Sequence, residues 1–306
     1  MSTALYEKVR PTKLDDVYGQ DEAIKVLKGY AAKGWPQQVF MFTGPSGTGK
    51  STLAKIVAKM VKSHKDDTRV INISDLRGID NVRRLTEQMR LMAGHGKTRS
   101  LILDECQGMT KDAQSALLMP LEDTPEDVYI MLCTTDPQKL SVAIRNRCKI
   151  ITTKPLSDEL AMKLLKAVAF KEGISCDQDA LDKIVELGEG SSRQLLVMLE
   201  AIAGVPKKEQ LDTVVKLESE ATTKQLCQAL FNWKGQPSWK EVSAILRNCT
   251  DEPEKIRRAV VNYGAAILVN GRKDDRIWEI VQTFRDHVFD SGMGGIIANC
   301  YEIVVK

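Results

Sequence analysis

The sequence predicts an α/β core, a parallel sheet flanked by helices, followed by two all-helical domains. Helical periodicity alternates with short apolar runs between residues 22 and 154, a glycine-rich loop separates one such run from the next helix, and strand-like runs stop after about Pro155. We place the domains at residues 1–155, 156–207 and 208–306, an ordinary division for a chain of 306 residues.

The core elements follow from their apolar spacing. Four segments are predicted as strands: VFMF, RVINI, SLILD and VYIML. Three helical stripes are Ala23, Ile24, Leu27, Tyr30 and Ala31; Leu53, Ile56, Val57 and Met60; and Val82, Leu85, Met89 and Met92. The helices of the second domain are SDELAMKLLKAVAFKEG, DQDALDKIVELGEG and SSRQLLVMLEAIAG, each beginning near Ser or Asp and ending at Gly. We interpret residues 205–210 as a linker to the third domain, which is also helical.

Composition narrows the possible functions. Lys and Arg total 44 against 41 Asp and Glu, a net charge of +3, so any contact with nucleic acid requires a local basic surface. The seven cysteines lie far apart without a C-x-x-C pair, which predicts neither a zinc site nor a disulfide framework. The N-terminus has no apolar signal core, and no run approaches the roughly 18 apolar residues of a membrane span. We expect a soluble intracellular protein without a membrane partner.

The stretch FTGPSGTGKST, residues 42–52, fits the phosphate-loop pattern G-x-x-x-x-G-K-[ST]. Successive backbone N–H groups opening onto a helix N-terminus form a positively polarised seat for phosphates. We expect Lys50 to reach the β- and γ-phosphates of a nucleotide and the Ser51 hydroxyl to bind Mg²⁺. The alternative is a glycine loop that only turns the chain. The predicted nucleotide-binding residues are Gly44, Pro45, Ser46, Gly47, Thr48, Gly49, Lys50, Ser51 and Thr52.

The segment LILDEC places two carboxylates at the end of a predicted strand. Asp104 is predicted to hold Mg²⁺ together with Ser51, and Glu105 to polarise the attacking water. A helix N-cap would explain an Asp-Glu pair equally well by itself. Its position downstream of a phosphate loop favours the catalytic interpretation.

Six boxes of the sequence resemble, in order and spacing, those of clamp-loader ATPases of the AAA+ superfamily, the replication factor C small subunits and the bacterial gamma/tau subunit. They are YEKVRPTKLDDVYGQDEAI, GPSGTGKST, SDLRGIDNVR, LILDECQGMTKDAQSALL, TTDPQKL and RNRC. The resemblance spans roughly residues 6–200 and implies an AAA+ core, a helical lid and a helical C-terminal collar. The compact organisation is closer to replication factor C, whereas TTDPQKL looks bacterial, a mixture that fits a loader encoded by a virus or phage, or a divergent cellular one.

The resemblance implies roles for further residues. Those in the position of the adenine cradle are Tyr6, Arg10, Pro11, Val17 and Tyr18, although Val17 and Tyr18 could equally be core residues. Thr135 corresponds to the residue that senses the γ-phosphate, and Arg193 to the lid arginine that touches the nucleotide of its own subunit.

Arg147 in RNRC corresponds to the arginine that reaches into the ATP site of the neighbouring subunit. Asn146 stands beside it where the family has a serine. Without the resemblance, each residue has a simpler interpretation. Arg147 would be a surface charge, Arg193 would be a solvated residue at a helix start, and Thr135 would be an ordinary residue at a strand end.

Contact with DNA is predicted for Arg77, Arg83 and Arg84, which surround a predicted helix start in SDLRGIDNVRR. The family uses this region to follow the duplex backbone. The alternative is a solvated face. Contacts with phosphates carry no sequence information, so we expect selectivity for DNA structure rather than for sequence.

The resemblance implies an ATPase that uses ATP and Mg²⁺ and assembles with other clamp-loader subunits into a ring or spiral, expected to be a pentamer. Its partners would be a sliding clamp and primer–template DNA, with ATP binding opening the clamp and hydrolysis releasing it. Two alternatives stay open: a DNA-remodelling AAA+ motor of the branch-migration or initiator type, and a scaffold subunit that binds ATP without hydrolysing it.

Overall fold

A five-stranded parallel sheet forms the core of the N-terminal part of the chain. The chain divides into two units, Met1–Lys207 and Lys208–Lys306. The computed structural model describes residues 3–73, 94–232, 237–269, 274–288 and 290–305. The strands are β1 (Val39–Thr43), β2 (Ser63–Asn72), β3 (Thr98–Asp104), β4 (Val128–Thr134) and β5 (Lys149–Thr152). They lie in the order β2-β3-β4-β1-β5, and every neighbouring pair is parallel.

Helices cover both faces of this sheet. Those of the first unit are α1 (Leu5–Lys8), α2 (Asp21–Ala32), α3 (Lys50–Met60), α4 (Lys111–Glu122), α5 (Val142–Arg147), α6 (Asp158–Glu172), α7 (Gln178–Gly188) and α8 (Ser192–Ala201). In β1, Val39 and Met41 pack in a cluster with α4 and α5, whereas Phe40 and Phe42 pack in a second cluster with α2 and α3. Burial on both faces explains why the central strands are continuous apolar runs rather than alternating ones.

The helices α6, α7 and α8 begin at the polar residues that the sequence indicated. Ser157, Asp177 and Ser191 each occupy the N-cap, and their side chains accept hydrogen bonds from the backbone N–H groups of the first turn. Such caps satisfy donors that the helix itself leaves unpaired. Helix α6 ends at Gly173, which adopts the left-handed conformation with φ of 68°.

The predicted fold class is confirmed, with three differences in detail. Strand β2 begins at Ser63, six residues before the predicted RVINI segment, and β5 is an edge strand that no apolar run indicated. The linker interpretation of residues 205–210 is wrong from residue 207 onwards, because a helix begins at Lys207. Lys, Glu and Gln favour helices, and Gln210 is buried. The predicted helix carrying Val82, Leu85, Met89 and Met92 lies outside the described residues.

The second unit is helical throughout its described residues. Its helices are α9 (Lys207–Leu230), which starts at the boundary, α10 (Trp239–Arg247), α11 (Pro253–Val269), α12 (Asp275–Thr283) and α13 (Gly292–Val305). One apolar cluster, which includes Leu226, Ile256, Ile280 and Ile296, forms its core. Among the described helices of the whole chain, none combines the length and apolar character needed to cross a bilayer.

A buried ion pair on α11 of this second unit also binds the segment that follows α12. The Glu254 carboxylate accepts from Arg257 at 2.6 and 2.9 Å, and from His287 Nδ1 at 3.0 Å. Arg257 also donates to the carbonyl oxygens of Phe284 and Arg285, just after α12. The Arg257 hydrogen bonds, with those from His287 and the Val288 N–H, lower the pKa of Glu254 to about 2. The charged form of Glu254 is therefore favoured by folding.

We expect the Glu254→Gln variant to lose stability most at neutral pH. Because the folded pKa of Glu254 lies below its ordinary value of 4.5, its contribution is complete above pH of about 5 and is lost as pH falls towards about 2. Urea unfolding can be followed by tryptophan fluorescence in a Trp35→Phe background, which leaves Trp233, Trp239 and Trp278 as probes of the second unit. The gap in unfolding midpoint between this background and its Glu254→Gln variant should close as the pH is lowered, whereas Glu252→Gln, at an exposed position, should produce no such gap. A gap that is independent of pH would contradict this role of the carboxylate.

Candidate functional site

The phosphate loop lies between the end of β1 at Thr43 and the start of α3 at Lys50. Gly44 has φ of 143°, and a Cβ atom there would lie 2.3 Å from the backbone oxygen of Thr153. A side chain at this position would therefore collide with the segment that follows β5. Thr48 completes the turn by donating to the Pro45 carbonyl at 2.8 Å and contacting the Thr153 hydroxyl at 2.7 Å. The loop is thus held by its own backbone and by the end of the neighbouring strand.

Lys50 is buried at the mouth of this loop. Its Nζ donates to the carbonyl oxygens of Gly44 and Pro45 at 2.8 and 2.7 Å. Burial lowers the pKa of Lys50, while the nearby carboxylates of Glu105 and Asp104 act in the opposite direction. The ammonium group is therefore poorly hydrated and surrounded by acceptors, which favours an anionic ligand at this point.

Ser51 and Asp104, the two predicted magnesium ligands, lie within hydrogen-bond distance of each other. The Ser51 hydroxyl donates to Asp104 Oδ2 at 2.7 Å, which joins the first turn of α3 to the end of β3. The other oxygen of Asp104 accepts the N–H of Glu105 at 3.1 Å. A hydroxyl and a carboxylate are oxygen donors of the kind that Mg²⁺ prefers. The two side chains therefore fit a magnesium ion, and they are the residues that would hold it.

Glu105 is exposed and has φ of 56°, which is unusual for a residue with a side chain. Gln107, in the 3₁₀ turn Cys106–Gly108, donates through Nε2 to the Glu105 carboxylate. The Gln107 Oε1 accepts from the Thr134 hydroxyl at 2.9 Å and from the Thr135 N–H at 3.3 Å. Gln107 thus links the predicted catalytic carboxylate to the predicted γ-phosphate sensor.

Sequence reasoning missed Gln107. The only signal was its position two residues after Glu105 in DECQ. The link to Thr134 and Thr135 depends on the pairing of β3 with β4, which brings the ends of these strands together. No spacing in the sequence shows that pairing.

The helical lid, which we define as residues 156–207, contacts the phosphate loop within the first unit. Ser192, at the start of α8, donates its hydroxyl to the Gly47 carbonyl at 2.7 Å. A Cβ atom on Gly47 would lie 3.4 Å from Arg193 Cβ, so the next residue of α8 also lies beside the loop. Arg193 also lies 5.7 Å from the centroid of the Tyr6 ring. The predicted lid arginine is therefore near the phosphate loop.

The N-terminal segment reaches the same region. Burial, and then the positive charge of Arg10, lower the pKa of Lys55 on α3. Val17 packs against the α2–α3 side of the core. Pro11 and Tyr18 are half-buried. Gln20, which the sequence did not single out, is buried. Its side-chain amide donates to the Lys154 carbonyl at 2.7 Å and accepts from the Lys154 N–H at 3.0 Å. This paired bond fixes the segment to the chain between β5 and α6.

Arg147 is the last residue of α5 and is paired within its own chain. Its guanidinium donates to the Glu122 carboxylate at 2.9 Å and to the Ala143 carbonyl at 3.0 Å. Its Nε is buried and has no hydrogen-bond partner among the described residues. Its predicted action on a neighbouring subunit stays a prediction. The predicted DNA-contacting residues Arg77, Arg83 and Arg84 lie outside the described residues.

Two family models match parts of the chain. Residues 63–157 match the model described as DNA polymerase III, delta subunit. Residues 13–100 match the model described as Magnesium chelatase, subunit ChlI. Both segments belong to the part of the chain that holds the sheet.

Curated relatives cover much more of the sequence. The replication factor C small subunit of Methanosphaera stadtmanae is 34% identical over 81% of this chain and 78% of its own length. That of Thermofilum pendens is 32% identical over 86% of this chain and 79% of its own length.

Among solved structures, the RuvB Holliday junction branch migration motor of Thermotoga maritima superposes with a TM-score of 0.61. The two sequences are 20% identical, and the superposed region covers 78% of this chain and 85% of the RuvB chain. At this identity the likeness concerns the fold, which is that of AAA+ proteins, as the sequence boxes implied.

We expect Gln107→Leu to slow nucleotide hydrolysis and leave nucleotide affinity largely unchanged. Leucine keeps much of the volume but cannot hold the Glu105 carboxylate, so the predicted base loses its fixed orientation. Because general base catalysis contributes about 10²–10⁴-fold, a loss of orientation should cost about tenfold or more in turnover. Turnover and the affinity for a fluorescent nucleotide would be measured on the same samples, with Gln138→Leu as the control at an exposed glutamine. Equal turnover in Gln107→Leu and parent would remove Gln107 from the catalytic arrangement.

Proposed function

Because the chain belongs to the replication factor C small-subunit family, we propose that it is an ATP-hydrolysing subunit of a sliding-clamp loader. The observation that carries this proposal is the Ser51–Asp104 hydrogen bond beside the buried Lys50, which brings together residues suited to hold phosphate and magnesium in a chain of this family. Glu105, Thr135 and Arg147, which we assign to hydrolysis, are present as well, and this argues against a scaffold subunit that binds ATP without hydrolysing it.

Some residues of the site bind the nucleotide, and others act in its hydrolysis. The loop N–H groups and Lys50 hold the phosphates, and Ser51 and Asp104 would hold Mg²⁺. When bound, Mg²⁺ would neutralise charge that develops on the phosphate oxygens. Glu105 orients the attacking water and accepts its proton, and Gln107 sets the direction of that carboxylate. Thr135 contacts the γ-phosphate, and its own N–H is bound to the same glutamine.

The adenosine end of ATP would lie between the N-terminal segment and the lid. Gln20 fixes this segment to Lys154, and Arg193 lies against Tyr6. These contacts support the assignment of Arg10, Pro11, Val17 and Tyr18 to the adenine cradle. Arg193 would contact the phosphates of the ATP bound by its own subunit.

Arg147 would complete the site of a neighbouring subunit. The charge of the transferred phosphoryl group is spread over three oxygens, and an arginine supplied from another chain can contribute about 10³–10⁵ in rate. A chain that has both a phosphate loop and Arg147 can act at one interface and supply its arginine at the next. Hydrolysis then depends on assembly into a ring or spiral, which we expect to be a pentamer with other loader subunits.

In this assembly, ATP binding would open a sliding clamp and grip primer–template DNA, and hydrolysis would release the closed clamp. Arg77, Arg83 and Arg84 remain our candidates for contacts with the DNA backbone. A branch-migration motor is the second candidate function. The likeness to the RuvB motor supports it only at the level of fold, whereas the replication factor C relatives match at higher identity over most of the chain.

We expect ATP turnover of the assembled complex to rise when its sliding clamp and primed DNA are both present. Lys50→Ala should abolish tight ATP binding because the cation at the loop is lost. Glu105→Gln should retain binding and slow turnover by about a hundredfold. Turnover would be measured with clamp, with DNA, with both and with neither.

Stimulation by DNA without any response to the clamp would favour the remodelling motor. ATP binding without turnover under all four conditions would favour the scaffold subunit. Turnover by Glu105→Gln at the parent rate would show that the assigned base is wrong.

We expect Arg147→Ala to leave the ATP affinity of the separate chain nearly unchanged and to reduce turnover of the complex by about 10³-fold. Arg145→Ala is the matched control. Arg145 lies on the same short helix but donates to Gln138 rather than to Glu122. Mixing Arg147→Ala and Lys50→Ala chains should restore part of the activity, since some interfaces then combine an intact loop with an intact arginine. Mixed complexes shown to contain both chains, yet without any recovery, would count against action between subunits.

A further inference from the structure

A second polar cluster lies at the start of strand β2. The register between β2 and β3 shifts between Ser63 and Thr68, so the intervening residues leave the regular ladder. His64 and Asp66 belong to this irregular stretch, and His95 lies in the loop that leads into β3. The three side chains are exposed, and this site is separate from the nucleotide site described above.

The side chains of this cluster lie close enough to share a ligand. His64, Asp66 and His95 each offer one ligand atom, and these atoms all lie within 4.8 Å of one another. The two imidazole rings stack with their centroids 5.4 Å apart, and Asp66 Oδ2 lies 3.2 Å from His64 Nδ1. The cluster therefore has two nitrogen donors and one carboxylate on a surface that a hydrated ion can reach.

A buried carboxylate holds the two segments of the cluster together. Asp67 accepts hydrogen bonds from the backbone N–H groups of Gly94, His95 and Gly96 at 2.8, 2.9 and 2.5 Å. The backbone of His95 is thus fixed next to β2 by a residue that is not one of the three possible ligands.

Close packing of Gly96 also holds the loop that carries His95 against β2. A Cβ atom on Gly96 would lie 2.7 Å from the backbone nitrogen of His64 and 3.0 Å from the Lys62 oxygen. Only glycine allows the loop to approach β2 this closely. His64 and His95, far apart in the sequence, are therefore brought together by the backbone, and a cation would not need to order the loop.

We propose that His64, Asp66 and His95 bind a divalent transition-metal ion, and that Zn²⁺ suits them best. Two imidazoles and one carboxylate are a donor set that Zn²⁺ uses when a water fills its fourth position. Mg²⁺ and Ca²⁺ prefer oxygen donors throughout. With Zn–N bonds of about 2.0–2.1 Å, tetrahedral ligand atoms lie about 3.4 Å apart, so the widest pair must close by up to about 1.5 Å, which rotation of exposed side chains permits. The ion would tie the start of β2, at the edge of the sheet, to the loop before β3.

The test is a calorimetric titration of the full-length reduced chain with Zn²⁺ in excess Mg²⁺, without nucleotide. The parent chain should show one site that is absent or at least about tenfold weaker in His64→Gln and in His95→Gln. The sequence contains three histidines, so His287→Gln, in the second unit, is the matched control and should bind like the parent. His287→Gln also controls for zinc binding by cysteines, because it and the other variants all keep the seven thiols.

Asp67→Asn tests the supporting carboxylate. It keeps all three ligands but weakens the hold on the loop, and loss of an outer partner typically lowers metal affinity by about 10–100-fold. Co²⁺ gives an independent readout, because its visible absorption bands should appear in the parent and in His287→Gln and disappear in His95→Gln. Circular dichroism of each variant would show that the fold is retained.

Equal zinc affinity in the parent and in a His64→Gln/His95→Gln double variant would overturn the proposal. So would the lack of any site tighter than about 100 μM in the parent. In either case the stacked rings and the His64–Asp66 pair would be surface contacts that bind no metal.

Discussion

The parallel alignment of β3, β4 and β1 determines where the nucleotide site lies. In the sheet, Thr43 of β1 is level with Thr134 of β4, and Leu103 of β3 is level with Leu132. Parallel strands end at a common edge, and here the chain changes from buried apolar residues to polar ones. Asp104 and Thr134 are the last residues of β3 and β4, and the phosphate loop, Glu105 and Thr135 follow directly after the strand ends. The apolar side chains that cover both faces of the sheet therefore position the polar groups at its edge.

Contacts between the phosphate loop and the lid join the proposed nucleotide site to helix α8. The Gly47 carbonyl accepts from Ser192 at the start of α8, so movement of the loop would be transmitted to the lid. Lys50 is held by two neutral carbonyls of the same loop. A phosphate would offer it charged acceptors, which form stronger hydrogen bonds, particularly where the cation is partly desolvated. Exchange of these partners provides a physical route from phosphate binding to the position of α8.

The features predicted from sequence were those whose chemistry is local. The phosphate loop, its following helix and the capped lid helices each depend on residues within a few positions of one another, and the structure contains them where the patterns indicated. Strand β5 was missed because it is an edge strand of four residues with only one buried. Gln107, Gln20 and the His64–His95 pair act through partners that are distant in sequence. Their roles depend on strand pairing and loop packing, which periodicity does not reveal.

The pairing of Arg147 with Glu122 bears on how an arginine can serve a neighbouring subunit. Glu122 is about two-thirds exposed, and an ion pair with an exposed partner contributes only about 0–1 kcal/mol. The Ala143 carbonyl and the buried Nε nevertheless restrict where the guanidinium can lie. Such a contact would orient the arginine in the separate chain yet be exchanged readily for a more highly charged phosphate. If Arg147 acts between subunits as proposed, the weakness of this pair is what allows assembly to redirect it.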